Sequence, residues 1–325
     1  MGVRFGRVLA TCAGLCLASA SAQSAGDSVD DHLRAAKAAA GTDFAGVLVT
    51  TCVAPDNIGG RGGPRVIPDR ATWHAEPAKV FDNFYFVGTK VHSAWALNTS
   101  DGIILIDTLY NYAVEDEIVG GLKKLGLDPA KVKYVLISHG HGDHDEGARL
   151  FQERYGAKVV MGAADWDGID KLADMAGGKP KRDMVATDGQ KITLGDTTVT
   201  LVSTPGHTPG TTSFLFTVKD NGRPLSVAYS GGTALQLIYK DAAKLNIYAD
   251  TQGKFGRLAK DAGATVLITN HSVFDNAETK ARLVAVRKPG EQSPFEVGGG
   301  AVARYLTVMS ECAKAQIARL KAPGS

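Results

Sequence analysis

Three histidines and three acids fall within ten residues, Ser138-His139-Gly140-His141-Gly142-Asp143-His144-Asp145-Glu146-Gly147. Such residues suit zinc, which takes imidazole nitrogen and carboxylate oxygen at about 2 Å. In extended chain, residues two apart point the same way, so His139 and His141 can share one ion. Asp143 and His144 can then turn toward a second. The alternative is a solvated polar loop, but such loops rarely concentrate histidine in this way. Ahead of the stretch, Val135-Leu136-Ile137 reads as a buried strand. Behind it, Asp145 to Tyr155 reads as an amphipathic helix, with Ala148, Phe151 and Tyr155 about one turn apart. The histidines therefore sit on a strand-to-helix loop, where a rigid scaffold commonly presents functional groups. Downstream, Thr204-Pro205-Gly206-His207-Thr208-Pro209-Gly210 follows the apolar run Val199 to Val202 and puts His207 in a Pro/Gly turn. Val266-Leu267-Ile268-Thr269-Asn270-His271 puts His271 at the end of another strand.

The pattern His-x-His-x-Asp-His, with His207 and His271 following in order, resembles the signature of the metallo-β-lactamase superfamily. The resemblance covers roughly Val80 to His271. It implies a mixed α/β fold, an αβ/βα four-layer sandwich with metals at one edge, forming a single domain over residues 23–325. It also implies two zinc ions, the first on His139, His141 and His207, the second on Asp143, His144 and His271. Two ions about 3.5–4 Å apart can hold both ends of a reacting bond, and zinc lowers the pKa of bound water to about 7. A metal-bound hydroxide would then attack without any serine or cysteine nucleophile, with Asp143 in a catalytic role orienting it. Asp107 ends the run Ile103-Ile104-Leu105-Ile106 and resembles the family residue that orients the histidine loop. It also reads as an N-cap for a helix starting near Ala113.

Within the superfamily, His144 directly after Asp143 and a site without cysteine point to the third subclass of metallo-β-lactamases. After Val227-Ala228-Tyr229 the chain runs Ser230-Gly231-Gly232-Thr233, where glyoxalase II-like and lactonase-like members place a metal-bridging aspartate. The implied activity is hydrolysis of the β-lactam amide of penicillins, cephalosporins or carbapenems, conferring antibiotic resistance. The alternative is hydrolysis of another ester, lactone or amide on the same fold. A zinc protein without catalysis is a third reading, weakened by the full set of six ligands. Ser230 and Thr233 are candidates to bind a substrate carboxylate, although strand-end hydroxyls also satisfy backbone groups. His32, His74 and His92 have no motif around them and read as surface or packed histidines, not ligands. No serine has lysine three residues on, and Ala228-Tyr229-Ser230-Gly231-Gly232 lacks the first glycine of a nucleophile elbow.

The elements that must position these groups follow from periodicity. Val29 to Ala40 reads as a short helix, and Thr50 to Pro68 as a Gly/Pro-rich loop. Val80 to Gly88 and Ser93 to Asp107 read as strands, the latter turning at Asn98 to Gly102. Val114 to Leu125 reads as a helix, Val132 to Ile137 and Lys158 to Met161 as strands, and Asp165 to Gly178 as a polar segment near the site's mouth. Gln190 to Leu194 pairs with Thr197 to Ser203 around Gly195-Asp196. Thr212 to Val218 pairs with Leu225 to Tyr229 around Asp220-Asn221-Gly222. Lys254 to Gly263 and Ala301 to Lys321 read as helices. The loops around Trp73, Trp166 and Tyr239 would shape the pocket.

Composition is ordinary for a globular chain: 325 residues, 44% hydrophobic and 22% charged. Arg4 and Arg7, an apolar stretch from Val8 to Leu17 and Ala18-Ser19-Ala20-Ser21-Ala22 read as a signal peptide over residues 1–22, implying a periplasmic or secreted protein. The stretch is too short for a membrane anchor. Those two arginines account for the whole formal charge of +2, so the remainder is neutral and makes no electrostatic case for nucleic acid. A small-molecule substrate fits better; oligomeric state is open. Beyond residue 22 only Cys52 and Cys312 remain, and either a disulfide or two buried thiols fits them.

Overall fold

The computed structural model describes residues 1–2, 28–53 and 66–322. Almost all of the expected signal segment, and most of the Gly/Pro-rich stretch after Thr50, lie outside the described residues. Seven strands form one sheet in chain order: β1 (Ala78–Phe81), β2 (Phe84–Phe86), β3 (Trp95–Thr99), β4 (Gly102–Ile106), β5 (Val132–Leu136), β6 (Lys158–Gly162) and β7 (Met184–Ala186). A second sheet holds β8 (Lys191–Leu194), β9 (Thr197–Ser203), β10 (Thr212–Asp220), β11 (Arg223–Ser230) and β12 (Ala264–Thr269), in the order β12-β11-β10-β9-β8. Alternation along the strands turns one apolar face of each sheet toward the other. Phe84, Trp95, Ile104 and Ile106 meet Val199, Phe214, Val227, Tyr229 and Val266 between the sheets.

Helices cover both outer faces. Ile118, Leu122, Phe151 and Trp166 pack on the first sheet. Helices Val29–Ala40, Ala45–Cys52, Ala242–Asp261 and Gly299–Lys321 pack on the second. This is the expected αβ/βα four-layer sandwich. Cys52 and Cys312 form a disulfide, Cα–Cα 4.6 Å, that ties two of these outer helices together.

Strand direction decides where the chemistry can sit. β4, β5 and β6 pair in parallel, as do β11 and β12. Their carboxyl ends, Ile106, Leu136, Gly162, Ser230 and Thr269, therefore lead into loops at the sheet ends where α/β folds collect ligands.

Several elements differ from the periodicity reading. The helix expected over Asp145 to Tyr155 is broken into Gly142–Asp145 and Ala148–Tyr155. The His144 carbonyl, which a continuous helix would use internally, accepts instead from Thr108 N and Oγ1 at 2.7 and 2.8 Å. A Cβ on Gly147 would lie 2.6 Å from the Thr108 carbonyl, so only glycine lets the loop come this close to the end of β4. Val80 to Gly88 is two strands, because Asp82-Asn83 makes a turn. The helix expected from Lys254 begins twelve residues earlier, at Ala242, capped by the Asp241 carboxylate. Helix Ala45–Cys52 runs into the start of the expected loop, and helix Ala163–Lys171 overlaps the first half of the expected polar segment. Trp166 and Tyr239 are fully buried core residues, and neither shapes an open pocket.

Candidate metal centre

His139, His141 and His207 are brought together from two loops. The ring of His139 donates Nδ1–H to the Gly231 carbonyl at 2.9 Å, and that of His207 donates to the Ala234 carbonyl at 3.0 Å. Their Nε2 atoms then carry lone pairs, yet they lie 3.1 Å apart, and His141 Nδ1 is 3.1 Å from His207 Nε2. Two neutral rings facing lone pair to lone pair repel unless a cation sits between them. Three nitrogens on one tetrahedral zinc would be about 3.3 Å apart, from Zn–N of 2.0–2.1 Å. The donor set therefore fits zinc. Burial holds His139 and His207 well below the usual histidine range, and His141 below it, so the rings are neutral and ready to bind.

The second group surrounds Asp143. Its Oδ2 lies 3.0 Å from His271 Nε2 and 3.1 Å from His144 Nε2. Burial alone would lower the His144 pKa, but Asp143 and Asp107 on either side outweigh it and push it up to about 10. Burial likewise opposes ionisation of Asp143, and the His144 charge with hydrogen bonds from His144 and His271 outweighs it, holding the carboxyl well below its usual range. In the metal-free protein this group is thus an ion pair, not a neutral trio. A metal here must displace the His144 proton.

The positioning groups are carboxylates on neighbouring strand ends. Asp107, fully buried with φ +60°, accepts from Ser138 N (2.7 Å), Ser138 Oγ (2.8 Å), His144 Nδ1 (3.0 Å) and Tyr229 Oη (2.7 Å). It holds the histidine loop from behind and does not cap the next helix, whose N-cap is Tyr110. Asp165, just after β6, accepts from Gly140 N (2.8 Å), Thr208 Oγ1 (2.7 Å) and Gly210 N (3.0 Å), locking the His139–His141 loop to the His207 loop. Sequence reasoning did not single it out. An acid in the first turn of a helix already has an ordinary explanation in the helix dipole.

Ser230 and Thr233, expected to touch substrate, are both buried. The Thr233 hydroxyl donates to Asn270 Oδ1 at 2.8 Å and lies 3.4 Å from His271 Nδ1, so it braces the β12 loop. His32 and His74 pair with Glu311 and Glu117, each at 2.7–2.8 Å. His92 departs from the expectation of a merely packed histidine: it joins Asp143 and His271 in a group whose ligand atoms lie within 4.8 Å of one another. The signal that could have found it is weak, a lone histidine between two predicted strands.

Fold and cluster together define a metallo-hydrolase. The family model of the metallo-beta-lactamase superfamily matches residues 87–222. The chain is 31% identical to BJP-1, a subclass B3 metallo-beta-lactamase of Bradyrhizobium japonicum, covering 76% of this chain and 95% of that one with a TM-score of 0.67. FEZ-1 from Legionella gormanii shares the fold at 23% identity, 76% and 97% coverage and a TM-score of 0.65. This chain belongs to the metallo-β-lactamase superfamily. Curated relatives include a hydroxyacylglutathione hydrolase of Acidiphilium cryptum, 36% identical over 26% of this chain and 31% of that protein. Another is the N-acyl homoserine lactonase AttM of Agrobacterium fabrum, 36% identical over 33% of this chain and 44% of that protein. The chain thus spans less than half the length of these two curated relatives.

Proposed function

We propose that this chain, with two zinc ions bound, hydrolyses the β-lactam amide bond of penicillins, cephalosporins or carbapenems. The observation that carries this reading is the end of β11. Ser230-Gly231-Gly232-Thr233 offers no carboxylate to the cluster, and the Gly231 carbonyl is taken by His139. A Cβ at Gly231 would meet the Thr212 carbonyl at 2.0 Å and one at Gly232 the His207 Cβ at 2.8 Å, so neither glycine has room for a side chain beside the cluster. Asp143 is then the one carboxylate in the metal-ligand groups among the described residues. Zinc, when bound, supplies a Lewis acid and a water acidified to a pKa of about 7. The chain's part is to hold that water and the substrate. Asp143, which stands among the ligand groups beside His271, would orient the attacking water. Tyr110 packs edge-on to His92 at 5.1 Å and stacks with Tyr112 at 5.5 Å, and Tyr112 meets the buried Trp73 at 5.3 Å, so aromatic contacts tie the second group to the core under the first sheet. The likeness to the subclass B3 enzyme of Bradyrhizobium japonicum supports the same reading.

Export to an oxidising compartment, with cleavage near Ala22, belongs to the same proposal; the Cys52–Cys312 disulfide supports it. Among the described residues no helix is long and apolar enough to cross a membrane. A second reading, hydrolysis of a lactone or thioester, is favoured by the names of the shorter-matching relatives. Assay of the zinc-loaded protein against β-lactam, acyl homoserine lactone and glutathione thioester panels separates them. The expected result is β-lactam turnover abolished by chelators and indifferent to serine-directed inhibitors. Ready opening of lactones or thioesters with every β-lactam left intact would replace the first reading by the second.

A further inference from the structure

We propose that His92 is a fourth protein ligand of the second metal position, beside Asp143, His144 and His271. Its Nε2 lies 3.6 Å from Asp143 Oδ2, within the span of two ligands that share one zinc at about 2.0–2.2 Å each. The His92 ring is edge-on to His271 at 5.4 Å, a spacing that two imidazoles on one zinc allow, and 6.5 Å from His144, so the His92 and His144 rings must close by about 1 Å when all four groups hold one ion.

The backbone shows that this approach is built. His92 forms a β-bridge with His271, Ser93 N donates to the Asn270 carbonyl at 3.0 Å, and Ser272 N donates to the Val91 carbonyl at 2.9 Å. The loop between β2 and β3 is thereby sewn onto the loop that carries His271. Within it, Thr89 Oγ1 accepts from His92 N at 2.8 Å and Val91 N at 3.2 Å, a side-chain turn that fixes the backbone under His92. A Cβ on Gly88 would come within 2.7 Å of the His92 carbonyl, so glycine is what lets the turn close. Tyr110 packs edge-on against the ring at 5.1 Å and limits its rotation. A ligand held this firmly loses little freedom when it binds, which is the condition for a contribution to affinity.

The consequence is a site with three imidazoles and one carboxylate, as many protein ligands as a closed structural zinc site has. The first position has three. The inference rests on the metal-binding reading of the cluster and not on β-lactams being the substrate.

The test follows the ring nitrogens of ¹⁵N-histidine-labelled wild-type protein during zinc titration. His92 Nε2 should shift in step with His144 and His271 as the second equivalent binds. A His92 signal that stays still while those two shift overturns the inference but leaves the metal centre standing. Silence from every cluster histidine overturns the metal-binding reading itself. Chelator competition gives an independent measure: His92→Ala and His92→Gln should weaken second-site zinc at least tenfold without affecting the first. His92→Asp, which restores a ligand, should recover part of the loss. Wild-type affinity at both sites in His92→Ala would equally refute the assignment. Because the titration uses wild-type protein, a variant that fails to fold does not remove the test.

Discussion

The two halves of the metal centre are built by opposite means. Around the first position, His139 and His207 are held by backbone carbonyls, those of Gly231 and Ala234, and burial keeps the rings neutral. Around the second, His144 lies between the carboxylates of Asp107 and Asp143 and is charged in the metal-free protein. Neutral acceptors leave lone pairs waiting for a cation. Charged acceptors hold a proton where the cation belongs. One centre thus joins a site poised to bind with a site that must first give up a proton.

The largest consequence concerns ligand loss. His207→Ala leaves two histidines at the first position, whereas His271→Ala leaves Asp143, His144 and His92 at the second. His207→Ala should therefore retain about one zinc per chain and lose at least about 100-fold in kcat/KM. His271→Ala should keep a weakened second ion. Elemental analysis after gel filtration, read beside the rates, decides it. Equal zinc loss in the two variants would erase the asymmetry.

The carboxylates come next. Asp107→Ala strands Ser138, His144 and Tyr229 inside the protein, and removing one partner of a buried ionic network costs about 3–5 kcal/mol. Urea melts should show a loss of that size, with zinc lost from the second site at least. Asp165→Asn keeps one acceptor and touches only the loops of the first position. It should weaken first-site zinc about tenfold and leave the second unchanged. A second-site effect from Asp165→Asn would mean that the two positions are coupled through the loop.

The third consequence is a pH dependence. The first-position histidines have lowered pKa values, so at neutral pH zinc displaces no proton there. At the second, zinc must displace the proton of His144, whose pKa is raised to about 10. A proton released on binding makes affinity rise with pH. Second-site affinity should increase about tenfold per pH unit from pH 7 toward 10, each unit being about 1.4 kcal/mol. First-site affinity should stay flat. Chelator competition at pH 7, 8 and 9 measures both slopes, and parallel slopes would show that the charge difference is absent.

The same asymmetry explains what could be read from sequence. His139, His141, Asp143 and His144 sit in one short loop, and the strand before it is a plain apolar run, so spacing alone exposes them. His207 and His271 are visible because each follows a strand. His92 is not, because its place depends on a loop between β2 and β3 pairing with the end of β12, some 180 residues away in the chain. Asp165 was equally hidden, since its partners Gly140, Thr208 and Gly210 come from two other loops. Periodicity alone showed a mixed α and β domain, and the resemblance carried by the histidine motif supplied the layers. The early start of helix Ala242–Asp261 was not legible, since Asn246, Thr251 and Gly253 are poor helix formers and its packing on Gly299–Lys321 overrides them.

The smallest effect expected is that of Thr233→Val, and it separates a brace from a substrate contact. Valine keeps the shape but leaves Asn270 Oδ1 without its donor, a cost of about 1–3 kcal/mol for a buried acceptor. Asn270 is buried, with Nδ2 3.4 Å from His144 Nε2 and its backbone carbonyl accepting from Ser93, so its disturbance passes to both sides of the second position. A brace therefore predicts second-site zinc weakened several-fold, a lower kcat at limiting zinc, an unchanged KM and an unchanged first site. A substrate contact predicts the reverse: unchanged zinc affinity and a raised KM confined to substrates that carry a carboxylate. The buried hydroxyl, already engaged with Asn270, supports the brace, and a KM effect without a metal effect would return Thr233 to the substrate.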